Sequence, residues 1–313
     1  ELINMPASFM NTNSMKEVIT NFCLFHDLDL KLVEDDLLKD IFPAIYAVGK
    51  ASENRPFLAS FSWTGNKNGP IISLVGKGVC FDSGGLNIKP SQYMGNMKKD
   101  MGGAAAIMSL ANLIISRNLP IRLSVKIPCV ENSISANSMR PGDVISTKKG
   151  LSVEINNTDA EGRLILADAI HVADNENPDL LIDFATLTGA ARVALGPDIP
   201  VFFSNSDEIS NYLINRGNKI FDEVWRLPLW QPYEKYLSSA VADTSNCSSN
   251  SPHAGAIVAA LFLQKFVDRS KNWIHFDMYA WNDNNKYGIS KGGNISCVRV
   301  CYNLIKYLLK KQK

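Results

Sequence analysis

Seven side chains able to hold or polarise a ligand fall in three short stretches. "GKGVCFDSGGLNIK" (76–89) carries Lys77, Asp82 and Lys89, "MKKDMGG" (97–103) carries Asp100, and "NTDAEGR" (157–163) carries Asp159, Glu161 and Arg163. Residues 159, 161 and 163 alternate, and in extended backbone such positions project to one side. Two carboxylates brought together repel each other unless a proton or a cation intervenes. Hard oxygen donors beside a basic side chain suit Mg, Mn or Zn. His26, His171, His253 and His275 are scattered and form no HExxH pair, so a metal site here is built from oxygen, with lysine nitrogen as a further donor.

Taken singly, each piece has a plainer reading. Asp82 in "FDSGG" can bond the backbone of a glycine turn, Asp100 can cap the helix that follows it, and Glu161 is favoured at a helix start by the dipole alone. Lys77 and Lys89 would ordinarily be solvated, and Arg163 would pair with a surface acid. Other chemistries fail on spacing: "AVGKAS" (47–52) has Ala44 where a phosphate loop needs its first glycine, and Ser83 lies outside a GxSxG elbow.

The elements that must position these side chains follow from hydrophobic period. Apolar runs at 70–76, 121–130, 179–187 and 273–281 predict buried strands, and apolar residues recurring at three and four predict helices over 103–115, 162–173, 254–268 and 296–310. The alternation indicates an α/β fold of three layers: a mixed, mostly parallel central sheet flanked by helices on both faces. The charged stretches then fall at strand ends, where such folds bind ligands. The Ser- and Asn-rich segment 242–253 is the expected loop. No repeat or composition break divides the chain, so one domain over 1–313 is expected.

With 313 residues, 46% of them hydrophobic, the chain can bury a large core. Its 32 basic and 31 acidic residues leave a net charge of +1, which argues against nucleic acid or an acidic membrane as partner. Six cysteines without a CxxC pair favour free thiols in a reducing compartment. There is neither an 18-residue apolar run nor a signal-like start, so a cytoplasmic location is expected.

Together the stretches resemble the leucyl aminopeptidase (cytosol aminopeptidase) family of two-metal exopeptidases. "NTDAEGRL" matches that family's signature, and "VGKGVCFDSGGLNIK", "MKKDMGGAAA", "RPGDVI" (140–145) and "DFATLTGAA" (183–191) follow in the family's order and spacing. The resemblance implies one metal site made by Lys77, Asp82, Asp100 and Glu161. A second, more exchangeable site would use Asp82, Asp159 and Glu161, with Asp82 and Glu161 shared. It implies two divalent ions, Zn or Mn with Mg as a further option, around a bridging water. Lys89 would stabilise the oxyanion, and Arg163 would hold a bicarbonate acting as general base. Met97, Thr186, Gly189 and Ala190 would form the side-chain pocket, with the Leu187 carbonyl on the substrate backbone. The implied reaction is hydrolysis of N-terminal peptide bonds, biased towards Leu or Met, in a homohexamer.

Two regions depart from the family. "HFDMYAWNDNNKYGISKGGNIS" replaces a stretch that in many members has glycine soon after the same Asp, and this region helps shape the pocket. The opening "ELINMPASFMN" is similar to the joint after the family's smaller N-terminal domain, which is then expected to be absent from this chain. Rival readings are a cysteinylglycine-type dipeptidase using the same site, a DNA-binding accessory protein, and a pseudoenzyme that keeps only the fold.

Overall fold

The structure, a computed structural model, describes residues 1–248, 253–286 and 288–311. Strands β1 (Leu30–Glu34), β2 (Phe57–Thr64), β3 (Ile71–Gly76), β4 (Gly78–Asp82) and β5 (Arg122–Asn132) belong to a large sheet. A small sheet begins with β6 (Val144–Ser146) and β7 (Ser152–Glu154). The large sheet resumes with β8 (Leu180–Ala185), β9 (Val201–Ser204) and β10 (Trp225–Arg226). Then β11 (Thr244–Ser245) joins the small sheet, β12 (Trp273–Asp277) the large one, and β13 (Trp281–Asn282) pairs with β14 (Gly292–Gly293).

The large sheet runs β1-β2-β5-β3-β8-β12-β9-β10, with β4 also beside β5. Its centre, β5-β3-β8-β12, is parallel, whereas β2 and β9 run against their inner neighbours. This is the mixed, mostly parallel sheet expected. The helices are α1 (Thr12–Phe25), α2 (Asp35–Ile41), α3 (Pro43–Gly49), α4 (Ser91–Met94), α5 (Gly102–Ser116), α6 (Gly162–Asp174), α7 (Gly189–Leu195), α8 (Asp207–Ile220), α9 (Gly255–Gln264) and α10 (Val298–Lys311).

Alternate residues of the central strands feed two cores, so both faces are covered. Leu74, Val125, Ile127, Ile182 and Phe184 pack under α1, α5, α8 and α10. Val75, Val130, Leu181 and Ala185 pack under α3, α6 and α9. Each fully buried side chain of this kind contributes roughly 1.5–3 kcal/mol relative to exposure. One polar pair also lies within the sheet. His275 of β12 stands opposite Asp183 of β8, its Nδ1 2.5 Å from Asp183 Oδ1, and Trp273 Nε1 donates to Asp183 Oδ2 at 2.8 Å.

Several expected boundaries moved. The strand expected over 273–281 ends at Asp277, because the chain turns through Ala280 in the left-handed region (φ 57) before β13 begins. The strand expected over 179–187 stops at Ala185, where the carboxylate of Asp277 takes the backbone N–H groups of Leu187 and Thr188. The helix expected over 254–268 covers Gly255–Gln264. In the segment expected as a loop, β11 adds two residues to the small sheet, and 249–252 lie outside the described residues.

Candidate metal centre

The break between β3 and β4 is where the site begins. β3 lies between β5 and β8, but after Gly76 the chain continues alongside β5 as β4. Lys77 occupies the break, its N–H donating to the Phe184 carbonyl at 3.0 Å and its carbonyl accepting from Ala104 N at 2.9 Å. The lysine side chain is thereby directed along the start of α6. There Gly162 is needed for close approach, since a Cβ would sit 2.5 Å from Lys77 Cε. The ammonium ends 2.7 Å from Asp100 Oδ2, 2.9 Å from Glu161 Oε1 and 3.1 Å from the Thr186 carbonyl.

Asp82 closes β4, and the chain then turns through Gly84 (φ 88) and Gly85 (φ 65), a conformation that favours glycine. The turn brings Gly84 N–H onto Asp82 Oδ1 at 2.9 Å, the local bond anticipated from the motif. Asn132, at the end of β5, donates to the same oxygen at 2.8 Å and to the Thr158 carbonyl at 3.1 Å, joining the first charged stretch to the third. Lys89 returns from beyond the turn to lie 2.7 Å from Asp82 Oδ2 and 2.5 Å from Asp159 Oδ1. Asp100 sits in a short 3-10 turn, Met97–Met101, and is held by Thr186 Oγ1 at 2.7 Å; the residue preceding α5 is Met101, so Asp100 does not cap that helix.

All three stretches therefore meet at the carboxyl ends of β3, β4 and β8. Asp82, Asp159 and Glu161 each offer an oxygen within 4.8 Å of the others. Four carboxylates face two ammonium groups, which leaves negative charge uncompensated in a buried place. Burial and then Asp82 raise the Glu161 carboxyl to about 8 and that of Asp159 to about 6. Burial alone would lower Lys77 and Lys89, but the surrounding carboxylates outweigh it and hold both above the ordinary lysine range. Glu161 Oε2 is buried without a hydrogen-bond partner among the described residues. A lone buried carboxylate oxygen facing other carboxylates is what a divalent cation resolves, and the donors are of the hard type such ions take. The residues present fit a metal centre.

Arg163 is set behind this cluster. It is 7% exposed, its Nη1 donates to the Asn246 carbonyl at 2.6 Å, and its Nε is buried with no hydrogen-bond partner among the described residues. Burial lowers its pKa. Among the described residues no side chain caps α6, so the helix start and Arg163 present unmatched donors together. Asn246 also staples the third stretch, accepting from Asn156 N at 2.9 Å and donating to the Asn157 carbonyl at 2.6 Å.

Met97, Thr186, Leu187 and Gly189 line a cavity of about 70 Å³ together with Lys77, Asp82, Lys89, Asp100, Asp159 and Glu161. Ala190 is turned away, its Cβ facing Gly255 of α9 in a separate apolar cluster. Four wall or support residues were not singled out in the sequence: Asn132 beneath Asp82, and Lys99, Arg192 and Tyr279 in the cavity wall. Asn132 was findable only as a polar residue ending an apolar strand. The other three are brought together by the fold.

Comparison with known proteins identifies the family. Residues 1–302 match the model of the cytosol aminopeptidase family, catalytic domain. A probable cytosol aminopeptidase of Chlorobium limicola is 42% identical over 309 residues, covering 98% of this chain and 61% of that protein. The crystal structure of a cytosol aminopeptidase from Coxiella burnetii superposes with a TM-score of 0.95 at 48% identity, covering 98% of this chain and 66% of that one. A bottromycin maturation enzyme in complex with Mn gives 0.92 at 35% identity, covering 98% and 68%. The chain thus spans about three-fifths of the length of the curated relative. With the family's model matching nearly end to end, the chain belongs to the cytosol aminopeptidase family, as its catalytic domain.

Proposed function

We propose that this chain is the catalytic part of a metal-dependent aminopeptidase that hydrolyses the N-terminal peptide bond of peptides. The observation that carries the reading is the unpartnered Glu161 Oε2, buried against Asp82 and Asp159. Lys77, Asp82, Asp100 and Glu161 would hold one divalent ion, and Asp82, Asp159 and Glu161 a second. The donor set suits Zn, Mn or Mg, and a solved relative is in complex with Mn. When bound, such ions supply Lewis acidity at the substrate's amine and carbonyl oxygen.

The chain's own residues do the rest. Lys89, kept protonated by Asp82 and its neighbours, places an ammonium where an oxyanion would develop. Arg163 and the uncapped start of α6 together suit a bicarbonate able to accept a proton. Met97, Thr186 and Gly189, with the Leu187 carbonyl, seat the N-terminal residue, and Met97 offers the apolar wall that leucine or methionine fills.

We further assign residues 1–313 to one catalytic domain of a cytoplasmic homohexamer acting on peptides, with neither membrane nor nucleic acid as partner. The net charge of +1 gives no excess of cations for nucleic acid, six free cysteines suit a reducing compartment, and among the described residues no helix is long and apolar enough to cross a membrane. The test is hydrolysis of leucyl anilide before metal removal, after it, and after restoring Mn or Zn, with metal uptake measured by calorimetry. Activity that returns with the metal is expected. A well-folded sample that neither takes up metal nor cleaves the substrate sinks the reading.

A further inference from the structure

A second group of ionisable side chains lies behind the metal centre, closed off from solvent. Asp183 of β8 and His275 and Asp277 of β12 share a sheet face with Leu181, Ala185 and Trp273, the face that α6 and α9 cover. Arg163 enters this layer from the start of α6. Asp183 and His275 are fully buried, Asp277 is 2% exposed and Arg163 7%. Asp183 is fully occupied, with Oδ1 2.5 Å from His275 Nδ1 and Oδ2 accepting from Trp273 Nε1 at 2.8 Å. Asp277 accepts from Leu187 N at 3.0 Å, Thr188 N at 3.1 Å and the Thr188 hydroxyl at 2.6 Å. Three such bonds suit a carboxylate, because a carboxylic acid would need an acceptor for its own proton. Yet among the described residues no cation lies within ion-pair distance of Asp277.

Two carboxylates therefore share the layer with one guanidinium and one imidazole. Their charges cancel only when His275 is protonated. Burial pushes the Asp277 carboxyl up, and His275 is the strongest influence against that, ahead of the bonds from Thr188 and Leu187. Burial alone would lower His275, but Asp183 and then Asp277 outweigh it, against Arg163, and hold the ring above its ordinary range. The rings stacked nearest His275, those of Phe203 at 5.9 Å and Trp273 at 6.4 Å, supply no charge. Buried charges are weakly screened, so the imidazolium can steady Asp277 without touching it. An anion taken up by Arg163 would occupy that cation and leave His275 as the match for Asp277.

Resting on the aminopeptidase reading above, we propose that His275 is a positioning residue: its imidazolium keeps Asp277 ionised, and ionised Asp277 holds the Leu187–Thr188 backbone where a substrate's own backbone is received. Leu187 and Thr188 line the inner cavity, whereas His275 and Asp277 stand outside it. The effect belongs to substrate binding, so its loss should appear in KM more than in kcat.

The experiment has two readouts. Ring-nitrogen resonances of isotope-labelled histidine report the protonation of His275, whose Nδ1 proton is marked by its bond to Asp183. At neutral pH both ring nitrogens should carry protons, and a neutral ring overturns the proposal without any variant. The second readout is cleavage of leucyl anilide by the metal-loaded wild type, His275→Gln, and the double variant His275→Gln/Asp277→Asn. The single variant should raise KM at least about tenfold, the scale of a weakened bond to a buried charge, with kcat within about threefold. The double variant removes both charges while its amide oxygen still accepts from Leu187 and Thr188, so it should recover at least about threefold of the lost KM. An unmoved KM, a loss confined to kcat, or a double variant worse than the single one overturns the proposal alone. If the single variant does not fold, the wild-type resonances decide. A wild type that is protonated at His275 but cleaves nothing overturns the aminopeptidase reading and the proposal with it.

Discussion

The side chain of Lys77 crosses directly over the Cα of Gly162, so that a single added methyl would lie 2.6 Å from its ammonium nitrogen. The path of the lysine therefore depends on a neighbour 85 positions away that has no side chain of its own.

Gly162→Ala should push Lys77 off Asp100 and Glu161 while leaving the start of α6 helical. Metal affinity, measured by calorimetry, should fall about tenfold to a hundredfold, the range seen when the support of a metal ligand is disturbed. Wild-type affinity in a folded Gly162→Ala protein would contradict the close approach.

Asn132, from beneath, and Lys89, from the cavity side, each bond Asp82 and the 157–163 stretch at once. Replacing Asn132 by alanine leaves buried groups unsatisfied, at a cost of about 1–3 kcal/mol in denaturant unfolding. Because Asp82 also loses its orientation, metal affinity should drop about tenfold. If stability falls but metal binding does not, Asn132 serves only the fold.

The charged motifs were legible because each needs particular residue types a few positions apart, and a chain keeps that spacing whatever its fold. Lys99 and Arg192 were not, for the opposite reason. Lys99 follows another lysine in "MKKDMGG" and Arg192 lies within α7, and only the descent of Tyr279 from the end of β12 gives them a common ring. The parallel centre of the sheet could be read from continuous apolar runs. The antiparallel course of β9 beside β12 could not, since strand direction leaves no local trace. The chain's exit from β12 was misjudged because "MYAW" stays apolar while its backbone turns at Ala280.

Arg163→Ala removes the partly unpaired guanidinium at the start of α6. Turnover of leucyl anilide should fall on the order of 100-fold, the contribution of a positioned proton acceptor, and should no longer respond to added bicarbonate. A variant still stimulated by bicarbonate would remove Arg163 from that role.

Asp168, fully buried in α6, accepts from the backbone N–H groups of Ala44, Ile45 and Lys148 at 3.0, 3.3 and 2.7 Å. Burial outweighs these bonds and raises its carboxyl from 3.8 to about 7. The folded protein then holds a proton that the unfolded chain has released, so this group's contribution to stability falls as pH rises between those two values. Asp168→Asn cannot ionise. The difference in Tm between wild type and this variant should therefore narrow as pH rises through that window; a constant difference would mean that Asp168 titrates normally.

The Asp183–His275 pair has a consequence for accuracy at the cavity mouth. Slipping β12 by one residue along β8 would turn every one of its side chains to the other face, and Asp183 would lose both the imidazole and the indole that satisfy it. The pair works as an index mark that admits one alignment, and in that alignment Asp277 stands level with Ala185. From there its carboxylate gathers the N–H groups of Leu187 and Thr188 and the Thr188 hydroxyl. Where a substrate's backbone would be received is thus set two residues deep inside the sheet, by side chains it never touches.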